Sequence, residues 1–160
     1  MNACPKNCIS MISDNEGFLY PHIKIDLCVK CGICENVCPV VNVHSDEPFP
    51  QTAYVVQHKN KTVRKESTAG GAFTAIASWV IREGGVVFGA SFDNTFMVEH
   101  TSANTVEGLA KFRNSKYVQS DTKNTFREAK ELLKQGKWVC YSGTPCQVEG
   151  LKTYLGNEYE

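Results

Sequence analysis

Four cysteines between Cys28 and Pro39 have a spacing that suits iron–sulfur chemistry. The stretch reads C-x2-C-x2-C-x3-C-P, a run in which the thiolates of one short loop bind a cubane cluster. Gly32 is expected to let the backbone curl between ligands where a Cβ could clash, and Pro39 to direct the chain away from the loop. Paired cysteines also suit tetrahedral zinc, but zinc knuckles usually place two pairs far apart. The compact run therefore predicts a 4Fe-4S cluster rather than zinc.

A further cysteine, Cys4, precedes a proline near the N-terminus. A Cys-Pro pair, a short β segment and then the cysteine run form the layout of the second half of a two-cluster ferredoxin domain. In such domains the fourth cysteine of each run ligates the other cluster. Cys38 is therefore assigned to a cluster whose other ligands are not in this chain. The ligands predicted for the complete cluster are Cys4, Cys28, Cys31 and Cys34.

Cys8 has no position in this pattern. It fits a small buried hydrophobe, and it could instead capture iron in place of a missing ligand, although no spacing rule supports that role. Six of the eight cysteines lie within the first 38 residues, so a disulfide framework is not favoured. Because thiolates must stay reduced to ligate iron, a cytoplasmic location is expected.

Charge and hydropathy exclude two classes of partner. Basic and acidic residues each number 17, which leaves no basic excess to favour nucleic acid. The basic stretch 59–65 is predicted to be a solvated turn. No apolar stretch approaches the roughly 20 residues of a membrane span, so none is expected.

Composition divides the chain into two predicted domains. Residues 44–52 combine two prolines with polar side chains and are typical of a linker. An incomplete ferredoxin-type 4Fe-4S domain is predicted at 1–43, and an α/β domain at 53–160. The predicted fold class is α/β (α+β): half of a ferredoxin-like two-cluster domain followed by part of an α/β layered domain.

Hydrophobic periodicity supplies the elements that must position these residues. Residues 18–25 are predicted to be extended or a short strand pair. Further strands are predicted at 53–57, 86–90, 97–101 and 138–141. Helices are predicted at 74–81, 105–112 (with Thr105 as N-cap), 121–135 and 147–155. Alternating strands and helices indicate a layered α/β domain.

Two turns at helix starts could bind a ligand. Ser67-Thr68-Ala69-Gly70-Gly71 offers hydroxyls and backbone N–H groups that suit a pyrophosphate, or it is simply a capped helix start. In Gly143-Thr144-Pro145-Cys146, the helix dipole would lower the pKa of the thiol and make it a better ligand or nucleophile. The alternative there is a small buried residue in a tight turn. Cys140 is expected to be core, and none of the four histidines is interpreted as a ligand.

Together these segments resemble the coenzyme F420 hydrogenase/dehydrogenase beta-subunit family. The matching stretches are 16–21, 28–39, 67–73, 84–90, 115–120 and 142–147. The resemblance implies an iron–sulfur flavoprotein that moves electrons between ferredoxin-type clusters, FAD and a second acceptor, which is coenzyme F420 in archaeal relatives and unassigned in many bacterial ones. The FAD contacts that it implies are Ser67, Thr68, Gly70, Gly71, Lys116, Tyr117, Gln119, Thr144, Pro145 and Cys146.

Members of that family are usually more than twice this length, so the chain is expected to be truncated at both ends relative to them. An oxidoreductase, or a fragment of one, is the function expected, with no catalytic residue assigned. Its partner would be an electron donor or acceptor protein, or a hydrogenase or dehydrogenase subunit. The alternatives are a non-catalytic electron-carrier or docking module that needs a partner, and an inactive remnant.

Overall fold

The structure is a computed structural model that describes residues 2–42, 50–156 and 159. Most of the predicted linker at 44–52 lies outside these residues, so the domain boundary stays a prediction. None of the helices in the described ranges is both long enough and apolar enough to cross a membrane.

The N-terminal region is built on a β-hairpin. Strands β1 (Ile9–Ser13) and β2 (Leu19–Ile23) pair antiparallel, with Ile9 opposite Ile23. The turn between them is closed by the Asp14 carboxylate, whose Oδ1 accepts hydrogen bonds from the N–H groups of Glu16 and Phe18, both at 2.9 Å. A 3-10 turn at Ile25–Leu27 and the one-turn helix α1 (Ile33–Asn36) follow. The extended structure predicted at 18–25 is confirmed.

A three-stranded mixed sheet forms the centre of the second region. Strand β3 (Val86–Phe92) lies in the middle, antiparallel to β4 (Val98–Ala103) and parallel to β5 (Val139–Tyr141). Neighbouring β3 side chains point to opposite faces. Val87 packs with helix α3 (Ala72–Arg82) and the 3-10 helix Glu107–Phe112, whereas Phe88 packs with helices α4 (Thr125–Lys134) and α5 (Pro145–Leu155). The apolar strand predicted here is therefore buried on both faces.

The remaining elements are helices whose starts differ from the predicted ones. Their bounds are α2 (Lys61–Lys65), α3 (Ala72–Arg82), α4 (Thr125–Lys134) and α5 (Pro145–Leu155). Helix α4 begins four residues later than predicted because Asp121 pairs with β4 and its side chain accepts from the N–H of Lys123 at 2.8 Å. Helix α5 begins two residues earlier, with Pro145 in its first turn, where proline is favoured.

Two local predictions were wrong, and a third was right except for the helix type and the N-cap residue. The solvated turn at 59–65 contains α2, because Asn60 Oδ1 caps the N–H groups of Thr62 and Val63. The short helix predicted at 105–112 is present as the 3-10 helix Glu107–Phe112, with Val106 rather than Thr105 at its N-cap, although Thr105 Oγ1 accepts from the N–H of Gly108 at 3.1 Å.

The strand predicted at 53–57 is absent from the described structure. These residues have no regular structure, and Val55 is fully exposed. A strand is stable only where a neighbour satisfies its backbone groups. Both described sheets form without residues 53–57. An apolar pattern alone could not reveal that the segment has no strand beside it.

We expect Gly85→Ala to destabilise this fold strongly. An added Cβ would overlap the Trp138 carbonyl oxygen and lie 2.7 Å from Val80 Cγ1, and such overpacking costs about 1–3 kcal/mol. Gly150→Ala is the matched control. It lies inside α5, an added Cβ would meet nothing nearer than 3.6 Å, and alanine in a helix gains about 0.5–1 kcal/mol. Urea unfolding of both variants measures the difference, and equal midpoints would contradict it.

Candidate metal centre and second cavity

The cysteine-rich part of the chain surrounds a cavity of about 360 Å³. In the described residues no three metal-binding side chains converge on a single point. The thiols instead surround a space with apolar walls that include Ile9, Ile23 and Val29. That arrangement suits a group of several atoms, such as a cubane cluster, and the donor set is the thiolate set that such clusters take. The cysteines that line the cavity are Cys4, Cys8, Cys28, Cys31 and Cys34.

The loop that carries three of these thiols is shaped by two left-handed residues. Lys30 has φ 51° and Gly32 has φ 72°, and Gly32 is the N-cap of α1. The N–H of Lys30 lies 3.4 Å from Cys28 Sγ, where it donates to the sulfur. The clash expected at Gly32 is wrong, because an added Cβ would meet nothing within 4 Å. It is the positive φ that favours glycine there.

Cys4 and Cys8 compete for the fourth position at the cavity. Both are buried, and their Sγ atoms lie 3.3 Å apart. The N–H of Cys8 donates to Cys4 Sγ and lowers the pKa of Cys4, whereas the sulfur–sulfur hydrogen bond and burial raise the pKa of Cys8 to about 11. The lower pKa makes Cys4 the more acidic thiol of the pair. This favours Cys4 as the ligand, as its place in the motif predicts.

Cys38 lies outside the cavity. Its N–H donates to Glu35 O, and its own carbonyl accepts from Asn42 N at 2.8 Å. The preceding carbonyl, Val37 O, accepts from Thr153 Oγ1 of α5 at 2.8 Å. Cys38 is thus separated from the thiols that it follows in sequence, and its assignment to a second cluster stays a prediction.

A second cavity, of about 890 Å³, lies in the other part of the chain. It brings together the turn before α3, the segment 116–120 and the turn before α5, which are distant in sequence. Phe18, from the tip of the N-terminal hairpin, also lines it. Of the predicted contact residues, Gly70 and Pro145 do not line this cavity. Those that do are Ser67, Thr68, Gly71, Lys116, Tyr117, Gln119, Thr144 and Cys146.

Several polar side chains of this set are already engaged within the protein. Ser67 Oγ donates to Val63 O at 2.6 Å, and Thr68 Oγ1 donates to Asn114 Oδ1 at 2.6 Å. The Lys116 ammonium donates to the carbonyls of residues 111 and 113 at 2.9 and 2.8 Å. These groups hold the cavity wall in place. The first turn of α3, capped by Gly71 with no side-chain hydrogen bond, still presents backbone donors.

Cys146 is exposed at the second cavity, so the alternative of a small buried residue in a tight turn is wrong. Its Sγ lies 3.1 Å from Thr144 Oγ1. Gln147 stabilises the same turn, because its Oε1 accepts from the Thr144 N–H at 2.9 Å. Cys140, by contrast, packs against the core beside α3, as expected.

His100 is a cavity residue that sequence reasoning missed. It is almost fully buried on β4, with Nε2 3.0 Å from Ser142 O and Nδ1 2.9 Å from Ser120 Oγ. Ser120 Oγ in turn accepts from Gln147 Nε2 at 2.9 Å. Burial lowers the pKa of His100, so the neutral imidazole ties two walls of the cavity to β4. Residues two apart in a strand lie on the same face, so His100 shares the face of the apolar Val98. This alternation was the sequence signal that could have predicted the burial of His100.

Comparison with known proteins bears on the first cavity. Residues 1–42 match the family of the 4Fe-4S dicluster domain. The chain is also 32% identical over 66 residues to a protein named Ferredoxin 7Fe from Hydrogenibacillus schlegelii, a match that covers 41% of this chain and 78% of that protein. Mixed helices and sheets, with a ferredoxin-type domain at the N-terminus, form the fold. The chain belongs to the 4Fe-4S dicluster ferredoxin family, and its N-terminal part is an iron–sulfur electron-carrier module.

Proposed function

We propose that this protein is an oxidoreductase that passes electrons between the cluster of its ferredoxin-type domain and a flavin in the second cavity. The observation that carries the proposal is that second cavity, because three segments distant in sequence, each implied as a flavin contact by the beta-subunit resemblance, line it together. The proposed cluster ligands are Cys4, Cys28, Cys31 and Cys34.

FAD fits the second cavity in size and chemistry. A volume of about 890 Å³ lies within the range of small-molecule and cofactor sites. The first turn of α3, whose N-cap Gly71 makes no side-chain hydrogen bond, would take the pyrophosphate on its backbone N–H groups. Tyr117, whose side chain is largely exposed, would cover an aromatic ring of the ligand. When bound, the flavin would supply hydride chemistry to a protein whose cluster moves electrons.

The hairpin links the two cavities and supports an electron path between them. Ile9 and Ile23 line the cluster cavity at one end of β1 and β2, and Phe18 lines the second cavity at the other end. Ile23 lies five residue steps along the chain from Phe18, which is about 17 Å at 3.3 Å per residue.

Gln119 is proposed to hold the hairpin in this position rather than to bind the flavin. Its Oε1 accepts from the Leu19 N–H at 2.6 Å, and its Nε2 donates to Leu19 O at 3.4 Å. The side-chain amide therefore pairs with the backbone of β2 as a neighbouring strand would. The contact would hold Phe18, the residue before Leu19, beside the second cavity.

We expect Gln119→Ala to slow electron transfer from the cluster to the flavin by about tenfold or more, because small misplacements of reacting groups have large effects on rate. The rate of flavin bleaching after mixing with a reduced carrier protein, followed by anaerobic stopped flow, measures this. Iron and FAD contents should not change. Gln51→Ala, at an exposed position, is the control, and equal rates in the two variants would contradict the assignment.

The final acceptor in this proposal is coenzyme F420 or an unidentified substrate of similar redox chemistry. Electrons would reach the cluster from a carrier protein or from a hydrogenase or dehydrogenase subunit. Screening F420 and two-electron dyes with the reconstituted protein tests the acceptor directly.

One observation favours a second function, that of a carrier module without a flavin. Cys38 lies outside the cluster cavity, as expected of a cysteine that completes a site with ligands from elsewhere. Anaerobic reconstitution with iron, sulfide and FAD decides between the functions. About four irons with one FAD supports the oxidoreductase, about four irons without FAD supports the carrier, and neither group would indicate an inactive remnant.

A further inference from the structure

Arg127 joins helix α4 to the N-terminal segment that carries Cys4. Its Nε donates to Asn2 O at 2.8 Å, and one of its Nη atoms donates to Cys4 O at 3.0 Å and to Asn7 Oδ1 at 2.8 Å. Asn2 Nδ2 donates back to Lys123 O at 2.8 Å. One planar guanidinium thus bonds to three points on the segment that supplies the proposed fourth cluster ligand.

The charge of Arg127 is not neutralised by its partners. All three acceptors are uncharged: two backbone carbonyls and one side-chain amide. The ion pairs found among the described residues involve Arg113, Lys123, Lys134 and Lys152. Arg127 is partly buried, so its field is screened less than that of a surface arginine, and the guanidinium does not lose its proton.

An anionic cluster beside Cys4 would respond to this charge. Reduction adds one electron, and a fixed cation nearby stabilises the more negative state. Net charge and hydrogen bonding around a cluster are among the factors that set its reduction potential. Arg127 lies on α4, outside the ferredoxin-type domain predicted at 1–43. The reduction potential of a cluster in that domain would therefore depend on a residue outside the domain.

We propose that Arg127 is a positioning residue of the cluster site: it holds the Cys4 segment in place, and its fixed charge raises the reduction potential of the cluster. This rests on a cluster occupying the cavity that Cys4 lines. Iron and sulfide counts distinguish a failure of that premise from a failure of the inference. The proposed role of Arg127 does not depend on a bound flavin.

The test compares Arg127→Gln with Arg127→Lys in the full chain after anaerobic reconstitution. Redox titration with dithionite, followed by visible absorption and electron paramagnetic resonance, gives the potential of each protein. Arg127→Gln should shift the ratio of reduced to oxidised cluster about tenfold towards oxidised, which is about 59 mV for a one-electron couple. The reduction potential of the cluster in Arg127→Lys should stay close to the wild-type value, because lysine keeps the positive charge.

Two controls separate charge from position. Arg82→Gln removes the same charge from an exposed position on α3 and should leave the potential unchanged. Asn7→Gly removes one acceptor of Arg127 without changing the charge and suits the left-handed backbone there, at φ 50°, so it should also leave the potential unchanged. A fully loaded Arg127→Gln protein with the wild-type potential would overturn the inference. So would an equal shift in either control.

If Arg127→Gln binds no iron, its cluster potential cannot be measured. A histidine variant, whose charge depends on pH, then tests the same role. Arg127→His carries its charge only below a pKa of about 6.5. Relative to wild type, its cluster potential should be nearly unchanged at pH 5.5, where histidine also carries a positive charge, and lower at pH 8, where it does not. A potential that follows the wild-type pH dependence would overturn the role of the charge. If Arg127→Lys and Arg127→His lost iron while Arg127→Gln kept it, both the positioning role and the charge role of Arg127 would be overturned.

Discussion

Replacing Cys28, Cys31 or Cys34 by serine is expected to lower bound iron from about four atoms per chain to near none. Each of these thiols lines the 360 Å³ cavity, and each would hold a different corner of one cluster. Removing one corner thiolate leaves one iron of the cluster without the sulfur ligand that such clusters take. Iron and sulfide assays after anaerobic reconstitution, together with the visible spectrum, measure the loss.

The other cysteines supply controls of the same chemistry. Cys38→Ser and Cys140→Ser should keep the cluster, because the first lies outside the cavity and the second packs in the core beside α3. Cys4→Ser should lose it and Cys8→Ser should keep it. The reverse result for that pair would make Cys8 the ligand. A colourless, zinc-bound wild type would overturn the iron–sulfur assignment of these residues.

Blocking the second cavity with Ala69→Trp is expected to weaken FAD binding by tenfold or more, about 1.4 kcal/mol. Ala69 lines the cavity at an exposed position before α3, so the indole would occupy ligand space without disturbing a packed core. Fluorescence titration of the reconstituted protein with FAD gives the dissociation constant. Bound iron should stay unchanged, since the cluster cavity is formed by other residues.

Ala75→Trp is the matched control for the blocked cavity. Ala75 is exposed on α3, the helix that Ala69 precedes, but does not line the cavity, so the same indole should leave FAD affinity unchanged. Equal affinity in wild type and Ala69→Trp would mean that FAD, if bound, sits elsewhere. Weakened binding in both variants would point to a general effect of the added indole on the helix.

Sequence alone predicted the features that depend on neighbours along the chain. The Cys28–Pro39 run is one loop, so its spacing already implies the ligand geometry. Helix α3 and strand β3 follow from local periodicity, because each has an apolar face or run that must be buried. The ferredoxin-type fold of the N-terminal region could be inferred in the same way.

The tertiary structure decided which distant groups meet. The cysteine motif assigned Cys38 to another cluster, so its place outside the cluster cavity could be expected. Only the folded structure could show that Cys8 Sγ lies beside Cys4 Sγ. The family resemblance implied Gln119 as a flavin contact, and only the structure shows that its amide pairs with Leu19, 100 residues away. No periodicity or motif encodes such a contact, because a side-chain hydrogen bond depends on where two separate backbones are packed.

The same reason explains the failures. Residues 53–57 have the composition of a strand, but a strand needs a neighbour, and neighbours are set by the whole sheet. His100 and Arg127 are single polar residues with nothing unusual in their local sequence. The first joins the walls of one cavity to β4, and the second joins α4 to the segment of the other cavity. Sequence by itself determined the cluster-binding chemistry, whereas packing between separate segments determined the second cavity and the residues that hold each site in place.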